Sequence, residues 1–228
     1  MTVHFDGERR VALHPPAGLL DLEAFHDVVV DAYNRGTAEL SLPADEAVAR
    51  SLIPPGTGLF RDFSYIAPDI PEYDAAKCVA CMECVTECPD TAILGKVVAP
   101  GVLDAALDAQ PEADRDPLRG DWARTKKFWD TYDKKAPGSG GLFGIYIDPT
   151  KCKGCGECVE VCGDHDALRM VPKRDGTLAT YQRKIDFYRA LPETPPEFIN
   201  ERLLSDLMLA ERAMLYVGGA GSCMGCGE

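Results

Sequence analysis

Two stretches of this chain repeat one cysteine pattern, and that repeat limits its possible folds more than any other feature. Cys78, Cys81, Cys84 and Cys88 are spaced C-x2-C-x2-C-x3-C and are followed by Pro89. Cys152, Cys155, Cys158 and Cys162 have the same spacing, followed by Gly163. Each cysteine of the second set lies 74 residues after its counterpart in the first. The likeness reaches outward: Asp74 pairs with Asp148, Lys77 with Lys151, Glu83 with Glu157 and, after a gap of one, Ala92-Ile93 with Ala167-Leu168. The repeat unit reads as an extended segment, a cysteine loop, a short helix and a second extended segment. The expected class is therefore α+β, with a βαβ-type repeated core, a long insertion between the repeats and helical extensions at both ends.

The spacing has a chemical reason. A tight C-x2-C-x2-C loop can place three thiolates on three irons of one cubane. The fourth cysteine starts a short helix that leads away, so it reaches the other cluster, as in two-cluster ferredoxins. This predicts one [4Fe-4S] cluster on Cys78, Cys81, Cys84 and Cys162, and another on Cys152, Cys155, Cys158 and Cys88. Gly154 and Gly156 suit a loop whose backbone amides turn inward toward sulfur. The competing reading is structural zinc, but zinc sites favour two well-separated pairs of ligands. A disulfide framework fits poorly with a chain expected to stay in the cytosol.

Composition narrows the setting. The chain has 228 residues and a formal net charge of −13, from 24 Lys plus Arg against 37 Asp plus Glu. That balance disfavours nucleic acid or an anionic membrane surface as a partner. No run of about 18 apolar residues occurs. The opening MTVHFDGERR lacks the apolar core of a signal peptide. A cytoplasmic location is expected.

Four regions are expected along the chain. Residues 1–68 form an N-terminal helical and linker segment, either an appendage on the core or a docking arm. Leu22, Phe25, Val29, Ala32 and Tyr33 recur at helical spacing, Gly36 is a plausible stop, and a second short helix is expected over 44–52. Residues 69–172 hold the cysteine repeats, with an insertion over about 97–141. Within it, the acidic, proline-containing stretch 104–120 is expected to be mobile, and 121–132 helical. Residues 173–217 are read as a polar connection and then a helix capped by Thr194, with Glu197 completing a capping box. Residues 218–228 read Gly-Gly-Ala-Gly-Ser-Cys-Met-Gly-Cys-Gly-Glu.

That last stretch holds the remaining two of the ten cysteines, Cys223 and Cys226. A lone C-x2-C supplies half a metal site. It could be completed by another chain, form a redox disulfide, open a further domain, or be two inert thiols.

An eight-cysteine module with a long insertion, then a leucine-rich helix, then C-x2-C-G-E resembles the 2-oxoacid:ferredoxin oxidoreductases, the pyruvate:ferredoxin oxidoreductase family. The resemblance covers roughly residues 60–228. It implies that Cys223 and Cys226 match the first two ligands of a third [4Fe-4S] cluster, at the start of a thiamine diphosphate domain. It also implies a partner chain or domain holding thiamine diphosphate and magnesium, and an external ferredoxin or flavodoxin as electron acceptor. Gly163 departs from the proline usual after the fourth cysteine, and no thiamine diphosphate motif is evident. The chain alone is therefore not expected to decarboxylate a 2-oxoacid. The expected role is an electron-transfer subunit or fragment of such an oxidoreductase. A free-standing ferredoxin-type carrier, or the iron–sulfur subunit of another oxidoreductase, is the alternative. A regulatory iron–sulfur sensor is a third reading, and the acidic balance argues against a DNA-binding form.

Overall fold

A computed structural model describes residues 2–5, 9–12, 25–42 and 62–210. The chain divides into two compact units, Met1–Phe60 with Glu228 and Arg61–Gly227. The expected helix over 44–52 and the pair Cys223 and Cys226 lie outside the described residues.

In the first unit, β1 (Thr2–Phe5) and β2 (Arg9–Ala12) pair antiparallel. A helical stretch follows, a π-type turn over His26–Val30 running into Asp31–Asn34. Val29 and Ala32 are buried, as their spacing suggests, but Tyr33 is 65% exposed and lies off that face. Gly36 ends the helix with φ +68°, a left-handed conformation that glycine adopts without a Cβ penalty.

The second unit is built on the repeat. The first copy runs β3 (Asp69–Tyr73), the first cysteine loop, α1 (Glu83–Thr86) and β4 (Ile93–Val98). The insertion follows as α2 (Pro100–Asp108), α3 (Glu112–Arg119) and β5 (Trp122–Arg124), then a π-type turn over Lys126–Asp130. The second copy runs β6 (Leu142–Ile147), the second loop, α4 (Glu157–Cys162) and β7 (Leu168–Pro172). A long helix α5 (Thr177–Ala190) and a short one, α6 (Leu204–Leu207), complete it.

The two copies exchange strands. β3 pairs antiparallel with β7, and β4 with β6, so each pair joins the outer or the inner strands of the repeats. Symmetric backbone hydrogen bonds lock the exchange: Asp74 N–H to Ala167 O at 2.8 Å, and Asp148 N–H to Ala92 O at 2.7 Å.

β5 adds a third strand to the inner sheet by pairing with β6. Both faces of this sheet are buried, because residues alternate sides along a strand. Ile93, Val97, Phe143, Ile145 and Ile147 face the cysteine side, where they pack with Ile70 and Val85. Leu94, Val98 and Tyr146 face a second core formed with Leu103, Leu107, Leu118, Trp122 and Ile185. Lys96 also belongs to the second set by alternation. It is fully buried, and its ammonium donates to the carbonyls of Tyr188 and Leu191 at 3.1 Å each, capping the last turn of α5 where a cation is favourable.

Several local expectations change. The stretch 104–120, expected to be mobile, folds as helices whose Leu103, Leu107 and Leu118 fill the back core. The stretch 121–132, expected to be helical, starts as the strand β5. The polar connection expected after residue 172 is short: the chain turns helical at Thr177, where α5 starts. Thr194 does not cap a helix: it is buried, and its hydroxyl accepts from the Val97 N–H at 3.1 Å. A 3-10 turn over Pro196–Phe198 follows it directly, and α6 comes later.

Candidate metal centre

Both cysteine loops have one backbone conformation. In the first, Ala80 and Met82 have φ of +62° and +71°; in the second, Gly154 and Gly156 have +66° and +83°. These positions correspond at the 74-residue offset. Farther on, Thr91 and Asp166 take φ +50° and +47°, and they correspond once the one-residue gap is counted. An aspartate starts each loop in the same way: Asp74 Oδ1 accepts from the Ala76 N–H at 3.0 Å, and Asp148 Oδ1 from the Thr150 N–H at 2.9 Å.

These left-handed residues turn N–H groups toward sulfur. Ala80 donates to Cys78 Sγ at 3.4 Å. Ala92 donates to Cys88 Sγ at 3.2 Å, and Ala167 to Cys162 Sγ at 3.3 Å. Gly154 has a second constraint, since a Cβ there would lie 2.4 Å from the Ala67 Cβ.

The strand exchange gathers the cysteines into two quartets. Cys78, Cys81, Cys84 and Cys162 line one small cavity. Cys88, Cys152, Cys155 and Cys158 line another. Each quartet therefore takes three cysteines from one loop and the fourth from the other copy. All eight are free thiols. Cys84, Cys152 and Cys158 are buried and Cys155 is exposed.

Burial pushes these thiols up. Cys84 is raised well above the ordinary thiol value by burial, then by Cys78, Cys81, Cys158 and Cys162 around it. Cys158 is pushed up to about 12, by burial first and then by Cys152, Cys88 and Cys155. Burial likewise raises Cys78, Cys88 and Cys152, with neighbouring backbone N–H groups opposing it. Most of the thiols felt by each cysteine belong to its own quartet. Cys84 and Cys158, on the packed helices α1 and α4, form the link between quartets. A metal that binds such thiols must displace their protons.

The donor set fits an iron–sulfur cubane. Four thiols converge on one cavity in each case, and backbone N–H groups point at sulfur. Among the described residues, the Tyr73 hydroxyl in the Cys78 cavity is buried without an acceptor.

Sequence reading alone missed the residues flanking the quartets. Tyr73 lines the first cavity, and its repeat counterpart is Ile147. Lys153, whose counterpart is Val79, lines the second with Asp90, and the two pair at 2.8 Å with Asp90 buried. Comparing the two copies position by position would have found both asymmetries. Lys127 pairs with the buried Asp206 at 2.5 Å.

Among the described residues, no helix is long and apolar enough to cross a membrane. A family of 4Fe-4S binding domains matches residues 70–93 and 145–168, the two copies of the repeat. The pyruvate:ferredoxin oxidoreductase of Moorella thermoacetica is 29% identical over 188 residues, covering 82% of this chain and 14% of that protein. The pyruvate-flavodoxin oxidoreductase of Nostoc sp. is 26% identical over 193 residues, covering 82% of this chain and 14% of its own length. That of Rhodospirillum rubrum is 25% identical over 177 residues, covering 72% and 12%. The chain thus spans only about a seventh or less of these relatives. Over most of its own length the chain is similar to a part of the pyruvate:ferredoxin and pyruvate-flavodoxin oxidoreductases, and it carries two stretches that match 4Fe-4S binding domains.

Proposed function

We propose that this chain is an electron-relay module with two [4Fe-4S] clusters, working with a thiamine diphosphate-dependent 2-oxoacid oxidoreductase. The observation that carries the reading is the crossing of cysteines between copies, which gives two complete thiol quartets. Cys78, Cys81, Cys84 and Cys162 would hold one cluster, and Cys88, Cys152, Cys155 and Cys158 the other. When bound, such a cluster takes up and gives back one electron at a time.

The residues of the chain set the conditions for that exchange. N–H groups of Ala80, Ala92 and Ala167 aim at ligand sulfurs and stabilise added negative charge. Ile70, Val85, Ile93 and Ile145 keep the cysteine side apolar. Cys84 and Cys158 bring the two quartets together through α1 and α4, while Cys155 is the exposed ligand of the second quartet. Electrons would come from the thiamine diphosphate domain of a partner or of the same longer protein, and leave to a ferredoxin or flavodoxin. Cys223 and Cys226 would give two ligands to a third cluster completed elsewhere. The acidic balance of −13 suits a cytoplasmic carrier that docks through local basic groups.

The relay is tested by mixing the cluster-loaded chain anaerobically with a thiamine diphosphate-dependent pyruvate oxidoreductase domain, pyruvate and coenzyme A. Bleaching of the iron–sulfur absorbance, reversed by added flavodoxin, is expected. Reduction by chemical reductants but never by that domain would favour a free-standing carrier.

A further inference from the structure

The two loops agree in backbone but differ in a buried side chain at the end of the strand that leads into each. Tyr73 ends β3, and its counterpart at the 74-residue offset, Ile147, ends β6. The Tyr73 hydroxyl is buried and meets no acceptor at hydrogen-bonding geometry among the described protein atoms. Its ring lines the cavity of Cys78, Cys81, Cys84 and Cys162. Buried hydroxyls without acceptors are rare because desolvation is costly, so such a group points to an acceptor that fills the cavity.

The other cavity has no equivalent. Among the described residues no hydroxyl side chain lines it, and of its charged residues Lys153, Asp90 and Glu157 the first two pair with each other at 2.8 Å. Backbone donors do not create the difference, since Cys78 has an N–H neighbour in Ala80 and Cys152 has one in Gly154. His165 also lines the first cavity, but it is exposed, so water competes for its ring nitrogens.

We propose that Tyr73 donates a hydrogen bond to the sulfur of the cluster held by Cys78, Cys81, Cys84 and Cys162, and so raises the reduction potential of that cluster alone. This rests on the two-cluster reading above. A donor to sulfur stabilises the state carrying the extra electron, so the potential rises when the bond is present. Tyr73 is a positioning and tuning residue that acts on one of the two sites.

The test is a potentiometric titration of the cluster-loaded chain, followed by electron paramagnetic resonance, comparing the unaltered chain with Tyr73→Phe. The substitution removes one oxygen and keeps the ring, so packing is preserved. One of two reduction waves should move to lower potential by about tenfold in equilibrium constant, about 59 mV for one electron. The other wave should stay in place, with iron and sulfide content unchanged. Two unmoved waves, or two waves moved equally, would overturn the role of Tyr73. A chain that takes up no iron or sulfide in either form would instead overturn the cluster reading on which the proposal rests.

Discussion

Replacing Leu103 by alanine separates a structural insertion from a passive link. Leu103 sits on α2, is fully buried, and packs in the back core with Leu107, Leu118, Tyr146 and Ile185. Burying a leucine side chain contributes about 2 kcal/mol by transfer from water. A cavity left between two helices and a sheet adds to that, because α3 and α5 close the site from other sides and limit collapse. Leucine-to-alanine changes in such cores cost about 3–5 kcal/mol. For a chain of this size each kcal/mol lowers the melting temperature by about 2–4 °C, so Leu103→Ala should lower it by at least about 6 °C. Val102, next in sequence but 39% exposed, provides the control: Val102→Ala should stay within about 0.5 kcal/mol. Thermal unfolding followed by circular dichroism on the cluster-loaded chain makes the comparison. Equal, small shifts for both variants would refute the packing of the insertion against the sheet.

Three further predictions follow from single contacts. Asp206→Ala leaves Lys127 about a third exposed and unpaired, and because the ammonium can partly rehydrate, a loss of about 2 kcal/mol is expected in urea unfolding; no loss would mean the pair is idle. Gly154→Ala puts a Cβ at φ +66° against Ala67 Cβ, so the variant should retain about half the iron of the unaltered chain, whereas full occupancy would show that the loop can shift. Burial holds the Asp121 carboxyl above its ordinary value, against the pull of Lys184. The folded state then binds that proton more tightly than the unfolded chain. Its stabilising effect is full below the unfolded value of 3.8 and is lost as pH rises through the raised folded value. Asp121→Asn should flatten that part of a stability-against-pH curve, and an identical slope would remove Asp121 as its source.

The cysteine loops and the strands leading in and out of them were legible in the sequence because metal ligation demands both residue type and spacing. The repeat showed matched aspartates and matched Ala-Ile and Ala-Leu pairs, but not which strands of the two copies pair, because pairing is set by tertiary contacts. The insertion was misjudged for a physical reason. Its acids and Pro117 dominate the composition, while three leucines at helical spacing suffice to hold it on the sheet. In α5 the buried residues Ile185, Phe187 and Tyr188 all lie in the second half, so its polar first half resembled a loop. Thr194 had the local pattern of a cap, but a tertiary partner, the Val97 N–H, took its hydroxyl. Tyr73 and Lys153 carried no motif. Their meaning appears only when the cavity beside each is seen.

The central claim is that crossed thiol quartets hold two [4Fe-4S] clusters, and metal content tests it most directly. Iron, acid-labile sulfide and zinc should be counted per chain after anaerobic loading, with electron paramagnetic resonance of the reduced state. About eight irons and eight sulfides are expected, with Cys162→Ala losing the cluster served by Cys78, Cys81 and Cys84. About one zinc per quartet with no sulfide would contradict it.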